Sequence, residues 1–244
     1  MDEILSSSTE GAYRQTMVLI PAYNARQTIG SVVREVKQVS PAIVTLVVDD
    51  GSVDITAMEA EQAGALVARH ERNMGKGTAL RTGFREFLKG DFEAVITLDA
   101  DGQHSPYEIP KLIECWLGKK ADIVIGTRKR DLHKMPMLRI LTNTVSSWLV
   151  SLSAGRYIED SQSGFRLISR RVIERVATRS KGYGAESEIL IKAASRGYVI
   201  ASAPISTIYK NEKSYIHPLK QPILFLGLIF RSFFWRFEGI GKDR

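Results

Sequence analysis

The sequence predicts an α/β fold built on a mostly parallel central sheet with helices on both faces. Two observations carry this. Short apolar, β-branched runs alternate with segments of helical apolar spacing, four or five times in series. No linker divides the 244 residues, so the second half is expected to complete the same sheet.

In chain order, residues 17–20 form a short strand, and 28–39 a helix with Ile29, Val32, Val33 and Val36 on one face. Residues 43–48 are a buried strand ending in Asp49-Asp50-Gly51-Ser52. Residues 54–63 are a helix stopped by Gly64, and 65–68 a third strand. A helix over 76–88 ends at Gly90, and 94–98 is the next strand. Pro106 suits the first turn of a helix running to Leu117, and 122–125 is a short strand closed by Gly126. Beyond it the spacing predicts helices over 135–153, 170–177 and 186–195 and strands over 165–168 and 199–203.

Composition narrows the function. With 44% apolar and 25% charged residues the chain has material for a full core. A net charge of +7 suits phosphorylated substrates, anionic lipid or nucleic acid; no basic stripe with interleaved aromatics or nucleic-acid module supports the last. The single cysteine, Cys115, lies in an apolar run and is expected in the core; it excludes a disulfide framework and fits a reducing cytoplasm. The first fifteen residues are polar, without the apolar stretch of a secretory signal.

The most informative segment is Val95-Ile-Thr-Leu-Asp-Ala-Asp-Gly-Gln-His-Ser-Pro106. A buried strand leads into Asp99 and Asp101, which share one side if the extended backbone continues that far. Two adjacent carboxylates are most easily tolerated with a cation between them, and hard oxygen ligands suit Mg²⁺ or Mn²⁺ completed by substrate phosphates. An Asp-x-Asp alone is more often a solvated loop; its place at a strand's carboxyl end, where open α/β sheets bind ligands, favours a site. Three further loops fall at such ends: Pro21-Ala-Tyr-Asn24, Asp49-Asp-Gly-Ser52 and Asn73-Met-Gly-Lys-Gly77. The last lacks the Walker spacing, so ATP hydrolysis is not supported.

Together these loops resemble the inverting nucleotide-sugar glycosyltransferases of family 2, with the GT-A fold. Gly126-Thr-Arg128, Asp160-Ser-Gln-Ser-Gly-Phe-Arg166, Glu186-Ser-Glu188 and residues 209–214 resemble the branch that makes polyprenyl-phosphate sugars, the dolichyl-phosphate mannose and glucose synthases. The likeness spans about residues 16–218. Ala25 stands where many members carry Glu, and Tyr215-Ile216 where a more polar pair is common.

The resemblance implies a donor half over residues 16–127 and an acceptor half over 128–218, flanked by a polar segment 1–15 and an apolar, basic segment 219–244. It assigns Pro21, Tyr23, Asn24, Asp49, Asp50, Lys76, Asp99 and Lys213 to the donor nucleotide, and Asp99, Asp101 and Gln103 to the cation. Arg128, Arg139 and Asn143 would grip an acceptor phosphate; the last two share a helix face. Asp99, Asp101, Arg128 and Asp160 form the catalytic set. Asp160 stays open between a general base and an acid that orients Arg166 or its loop, the second being preferred.

The implied reaction moves a glucose- or mannose-class hexose from a UDP- or GDP-sugar to a dolichyl or undecaprenyl phosphate. The alternatives are a saccharide hydroxyl acceptor in cell-envelope glycan synthesis, or a nucleotide-sugar-binding or scaffold protein without turnover. Residues 222–237, if helical, would be about 24 Å long, short of a ~30 Å hydrocarbon core. The segment is therefore expected to lie on the cytoplasmic face of a membrane rather than cross it, with a core helix or a dimer interface as the competing reading.

Overall fold

A computed structural model describes residues 10–128, 137–182, 184–206 and 225–232, with backbone alone for 137–141. Seven strands form one sheet: β1 Thr16–Ala22, β2 Val44–Asp49, β3 Leu66–Arg69, β4 Ala94–Thr97, β5 Ile123–Arg128, β6 Arg166–Ser169 and β7 Ile200–Ile205. Their spatial order is β3-β2-β1-β4-β6-β5-β7. All neighbours are parallel except β6, which runs antiparallel to both β4 and β5. The expected α/β sheet is thus observed.

Alternation along β1 sets up the two faces. Val18 and Ile20 point into one apolar cluster, where α1 (Ile29–Val39) contributes Ile29, Val32, Val33 and Val36. The small helix α2 (Thr56–Gln62) adds Ala60, and α4 (Ile109–Lys119) adds Ile109, Leu112 and Ile113. Met17 and Leu19 point into the other cluster, covered by Leu80, Phe84 and Phe87 of α3 (Lys76–Lys89). Val150 and Ala154 of α5 (Met137–Ala154) and Ile189, Leu190 and Ile191 of α7 (Gly184–Ser195) complete it, with Val172 of the short α6 (Arg170–Arg175). Gly83 is required here, because a Cβ would sit 2.2 Å from Leu19 Cδ1.

The topology places the site. The chain steps outward from β1 through β2 to β3, then returns to put β4 on the other side of β1. Loops after β1 and β4 therefore diverge at the carboxyl edge and leave a crevice, the arrangement in which open α/β sheets bind ligands. The loops after β2 and β5 reach the same edge. So does the loop before β6, because that strand is reversed.

Two expectations need correcting. Strand β4 stops at Thr97, and Ala100–Asp101 lie in a turn, so strand alternation is not what brings Asp99 and Asp101 together. Cys115 is only partly buried, at the margin of the first cluster, and burial raises its thiol pKa.

Candidate active site

The crevice floor is an alternating line of charges. Lys76, at the start of α3, places Nζ 2.5 Å from Asp99 Oδ1 and 3.2 Å from Glu186 Oε1 of α7. Burial works against the ammonium, but Asp99 and then Glu186 outweigh it and hold its pKa above the ordinary lysine range. Burial likewise works against the Asp99 carboxylate, and Lys76, His104 and Arg128 overcome it, so Asp99 stays ionised. Gly164 presses on the same group: a Cβ there would lie 2.3 Å from Asp99 Oδ2.

The turn carrying Asp101 is pinned from two sides. Asp101 Oδ1 accepts the Gln103 amide at 2.9 Å, closing an Asx turn. Thr28, the residue before α1, makes no side-chain cap to its own helix. Its hydroxyl instead donates to the Ala100 carbonyl at 2.6 Å, tying the turn to the loop after β1. His104 follows, buried and tilted against Phe165 at 5.7 Å, with no hydrogen-bond partner for Nδ1 among the described residues. Burial, only partly offset by Asp99, lowers its pKa to about 4 and leaves the ring neutral at pH 7.

At the end of β5, Arg128 donates Nε and Nη2 to Asp160 at 2.7 and 2.9 Å, a two-point pair. Burial raises the Asp160 pKa, but the bonds and charge of Arg128 prevail and the net shift is downward. Arg166 does not share this acid. It lies fully buried and donates to the backbone carbonyls of Ser161, Ser163 and Glu186, so it shapes the 160–164 loop from beneath.

On the β1–β2 side, Tyr23 is 39% exposed at the rim. Asn24 adopts φ 51°, a left-handed conformation that Asn tolerates well. It is locked by its own amide to Ser52 Oγ at 2.9 Å and by its Oδ1 to the Val53 amide at 3.1 Å. Pro21 lies within β1. Asp49 accepts the Ser52 amide and lies 3.3 Å from Arg69. Asp50 accepts the amides of Met74 and Gly75 at 3.0 and 2.7 Å and contacts His70 Nδ1 at 2.7 Å, so it moulds the 73–77 loop. The opposite side of that loop is closed: Gly77 donates its amide to the Lys181 carbonyl at 2.8 Å, which caps the start of α3 from outside.

The structure therefore gathers Asp99, Asp101, Gln103, Lys76, Arg128 and Asp160 at one edge, with Tyr23, Asn24, Asp49 and Asp50 along the neighbouring loops. Asn143 lies half-buried on α5. The Arg139 side chain and Lys213 fall outside the described residues. Sequence spacing does not point to Glu186, His104, Gly164 or Thr28: Glu186 and Gly164 lie inside the family-like segments and His104 follows the paired acids, but what they touch is set by tertiary packing. A shallow hollow of about 240 Å³ lined by Glu93, Lys120, Asp122 and Arg171 sits at the opposite sheet edge, away from these groups.

Comparison with known proteins fits this geometry. Residues 17–176 match the family model described as glycosyl transferase family 2. The chain belongs to that family. A UDP-N-acetylglucosamine–dolichyl-phosphate N-acetylglucosaminyltransferase of Methanococcus voltae is 31% identical over 79% of this chain and 85% of its own length. A polyprenol monophosphomannose synthase of Mycolicibacterium smegmatis is 29% identical over 79% and 77%. Among solved structures, glucosyl-3-phosphoglycerate synthase of Mycobacterium tuberculosis, crystallised with Mn²⁺, UDP and glucosyl-3-phosphoglycerate, superposes with a TM-score of 0.72. It is 22% identical, over 94% of this chain and 83% of that one, a likeness of fold. The architecture is the GT-A fold, as the resemblance implied.

Asp99 and Asp101 are hard oxygen donors of the kind that could hold a divalent cation. Among the described residues no group of three acidic, histidine or cysteine side chains is arranged as a metal cage. A family 2 member with Asp99 and Asp101 at the crevice would leave much of the shell to phosphate oxygens, the usual habit of Mg²⁺ and of oxygen-ligated Mn²⁺.

Proposed function

We propose that this family 2 member is an inverting hexosyltransferase that moves a glucose- or mannose-class sugar from a UDP- or GDP-sugar to a polyprenyl phosphate. The observation that carries the acceptor class is the Arg128–Asp160 pair. A carboxylate held at two points by a guanidinium, with its pKa lowered, is a poor general base. A sugar hydroxyl acceptor would need such a base. A phosphate monoester is already charged near pH 7 and needs only to be positioned. The names of two relatives, which act on dolichyl phosphate or make a polyprenol phosphomannose, support the same class.

In this reading Tyr23, with Pro21 and Asn24, receives the base, and the loops shaped by Asp49 and Asp50 line the ribose and diphosphate. Asp99, Asp101 and Gln103 would hold the Mg²⁺ or Mn²⁺, which would supply Lewis-acid stabilisation of the departing nucleoside diphosphate. Lys76 keeps Asp99 ionised and oriented, and Lys213 reaches the donor phosphates. Arg128, aimed by Asp160, meets the acceptor phosphate together with Arg139 and Asn143. In-line attack of a phosphate oxygen on the anomeric carbon inverts its configuration, and the carbon–oxygen bond to the diphosphate breaks.

In this reading residues 16–127 serve the donor and 128–218 the acceptor, and segment 219–244 holds the enzyme at the cytoplasmic face of the membrane where the acceptor resides. Among the described residues no helix is long and apolar enough to cross a membrane. Incubating the protein with labelled UDP- and GDP-hexoses plus undecaprenyl or dolichyl phosphate tests the reading. Label is expected in organic-extractable lipid; label only in saccharide overturns the acceptor assignment.

A further inference from the structure

Two helices present apolar outer faces that the reaction does not use. On α5, Val145, Trp148 and Leu152 are 47%, 63% and 49% exposed, at spacings of three and four that put them on one face. Residues 225–232 are helical, and expose Leu226 and Phe230 at 56% and 68% while burying Leu228 and Ile229. Both helices bury their inner faces in one apolar cluster, to which Val150 and Ala154 of α5 and Ile229 belong and against which Phe225 packs. Exposed apolar side chains repeated on neighbouring elements mark an interaction surface more than scattered single ones do.

Charge identifies the partner. Among the described side chains of 142–158 and 225–232 none is acidic, whereas Arg156 and Arg231 are there and exposed. A second copy meeting this face about a two-fold axis would set like charges together. An anionic bilayer surface would not, and Trp is a residue that settles at the headgroup level.

We propose that the outer faces of α5 and of helix 225–232 together dock the protein on the headgroup layer of an anionic bilayer. The proposal rests on the polyprenyl-phosphate reading and extends it from the tail to the body of the enzyme. On helix 225–232 the contact falls to Leu226 and Phe230, which face out, while Leu228 packs inward. It also joins docking to the crevice. Ser147 of α5 accepts the Ser161 amide at 3.1 Å, beside the Asp160 that holds Arg128, and the next residue, Trp148, faces out.

The test is co-sedimentation of the full chain with phosphatidylcholine vesicles, with and without phosphatidylglycerol. The wild type should favour the anionic vesicles and be released by salt. Trp148→Ser/Leu152→Ser should lower the bound fraction at least about fivefold, with Trp148→Phe near wild type. Nucleotide binding and turnover of a short water-soluble prenyl phosphate should be unchanged in all of them. Unchanged vesicle binding by the double variant, with lipid glycosylation intact, overturns the docking face alone. Conversion of a dimer to a monomer by that variant, with vesicle binding retained, assigns the face to a second copy and overturns it as well. Failure of the wild type to glycosylate any prenyl phosphate overturns the acceptor reading, and with it the reason for docking.

Discussion

Arg128 Nε and Nη2 both bond to the carboxylate of Asp160, 32 residues away in the chain, at 2.7 and 2.9 Å. The pair joins the end of β5 to the loop before β6, two segments that meet only because β6 is reversed in the sheet. Asp160 is therefore a positioning residue for Arg128 in the proposed mechanism. Asp160→Asn should lower kcat/KM for the lipid phosphate roughly tenfold to a hundredfold, the loss of a charge-assisted bond of ~1.5–3 kcal/mol. Donor binding should change little, and the acidic limb of the pH–rate profile should persist. Disappearance of that limb would make Asp160 the base and restore the hydroxyl-acceptor reading.

Gly164 leaves no room for a side chain beside Asp99, whose Oδ2 would lie 2.3 Å from an added Cβ. Gly164→Ala should displace the carboxylate from Lys76 or shift the loop, at about 1–3 kcal/mol of stability. Turnover is expected to fall more steeply than melting temperature. Full activity in a protein with normal thermal unfolding would show that the exact place of Asp99 does not matter.

Asp101 sits in a turn fixed by its own bond to the Gln103 amide and by Thr28 on Ala100. Asp101→Asn should leave circular dichroism and melting unchanged while turnover drops by more than the roughly 10–100-fold that loss of an outer-shell partner costs. Saturating Mn²⁺ or Mg²⁺ should not restore it. Near-wild-type turnover after chelation and metal resupply would remove Asp101 from the proposed cation site.

The fold was legible because the strands and helices through residue 125 announce themselves by apolar period, and several stop at a residue that favours a turn, as at Asp49, Gly64 and Gly90. What the pattern could not show is direction: the run 166–169 reads as a strand, but its insertion backwards between β4 and β5 depends on tertiary pairing. The carboxylates themselves were legible, and their partners were not. Thr28 precedes a helix and suggests an N-cap, yet its hydroxyl serves Ala100, because the neighbouring loop offers a carbonyl there. Of the two structural roles the sequence leaves to Asp160, it serves its loop, accepting the Gln162 amide at 3.3 Å, and not Arg166: the guanidinium bonded to it belongs to Arg128, while Arg166 satisfies three carbonyls underneath. Lys76 and Glu186 lie in different motifs and meet only because α3 and α7 pack on the same face of the sheet.

Glu188 supplies a pH-dependent part of the stability. It is buried and accepts from Thr178 Oγ1 at 2.8 Å, the Arg179 amide at 3.0 Å, the Ser180 amide at 2.8 Å and the Lys192 ammonium at 2.5 Å. It thereby fixes the segment whose Lys181 carbonyl caps Gly77. Burial would raise its pKa, but these donors, Lys192 first, bring it down to about 2 from an ordinary 4.5. A carboxylate depressed on folding stabilises the native state above its unfolded pKa, and that contribution is lost as pH falls through the folded one. The window is therefore between about pH 4.5 and pH 2, which corresponds to about 3 kcal/mol. Glu188→Gln should lower stability at pH 7 by an amount of that order and flatten its decline across the same window, measured by urea unfolding at stepped pH. Catalysis should be affected more weakly than by Gly164→Ala, because Glu188 reaches the crevice only through the 178–182 segment. An unchanged acid-side slope in the variant would assign the lost stability to groups other than Glu188.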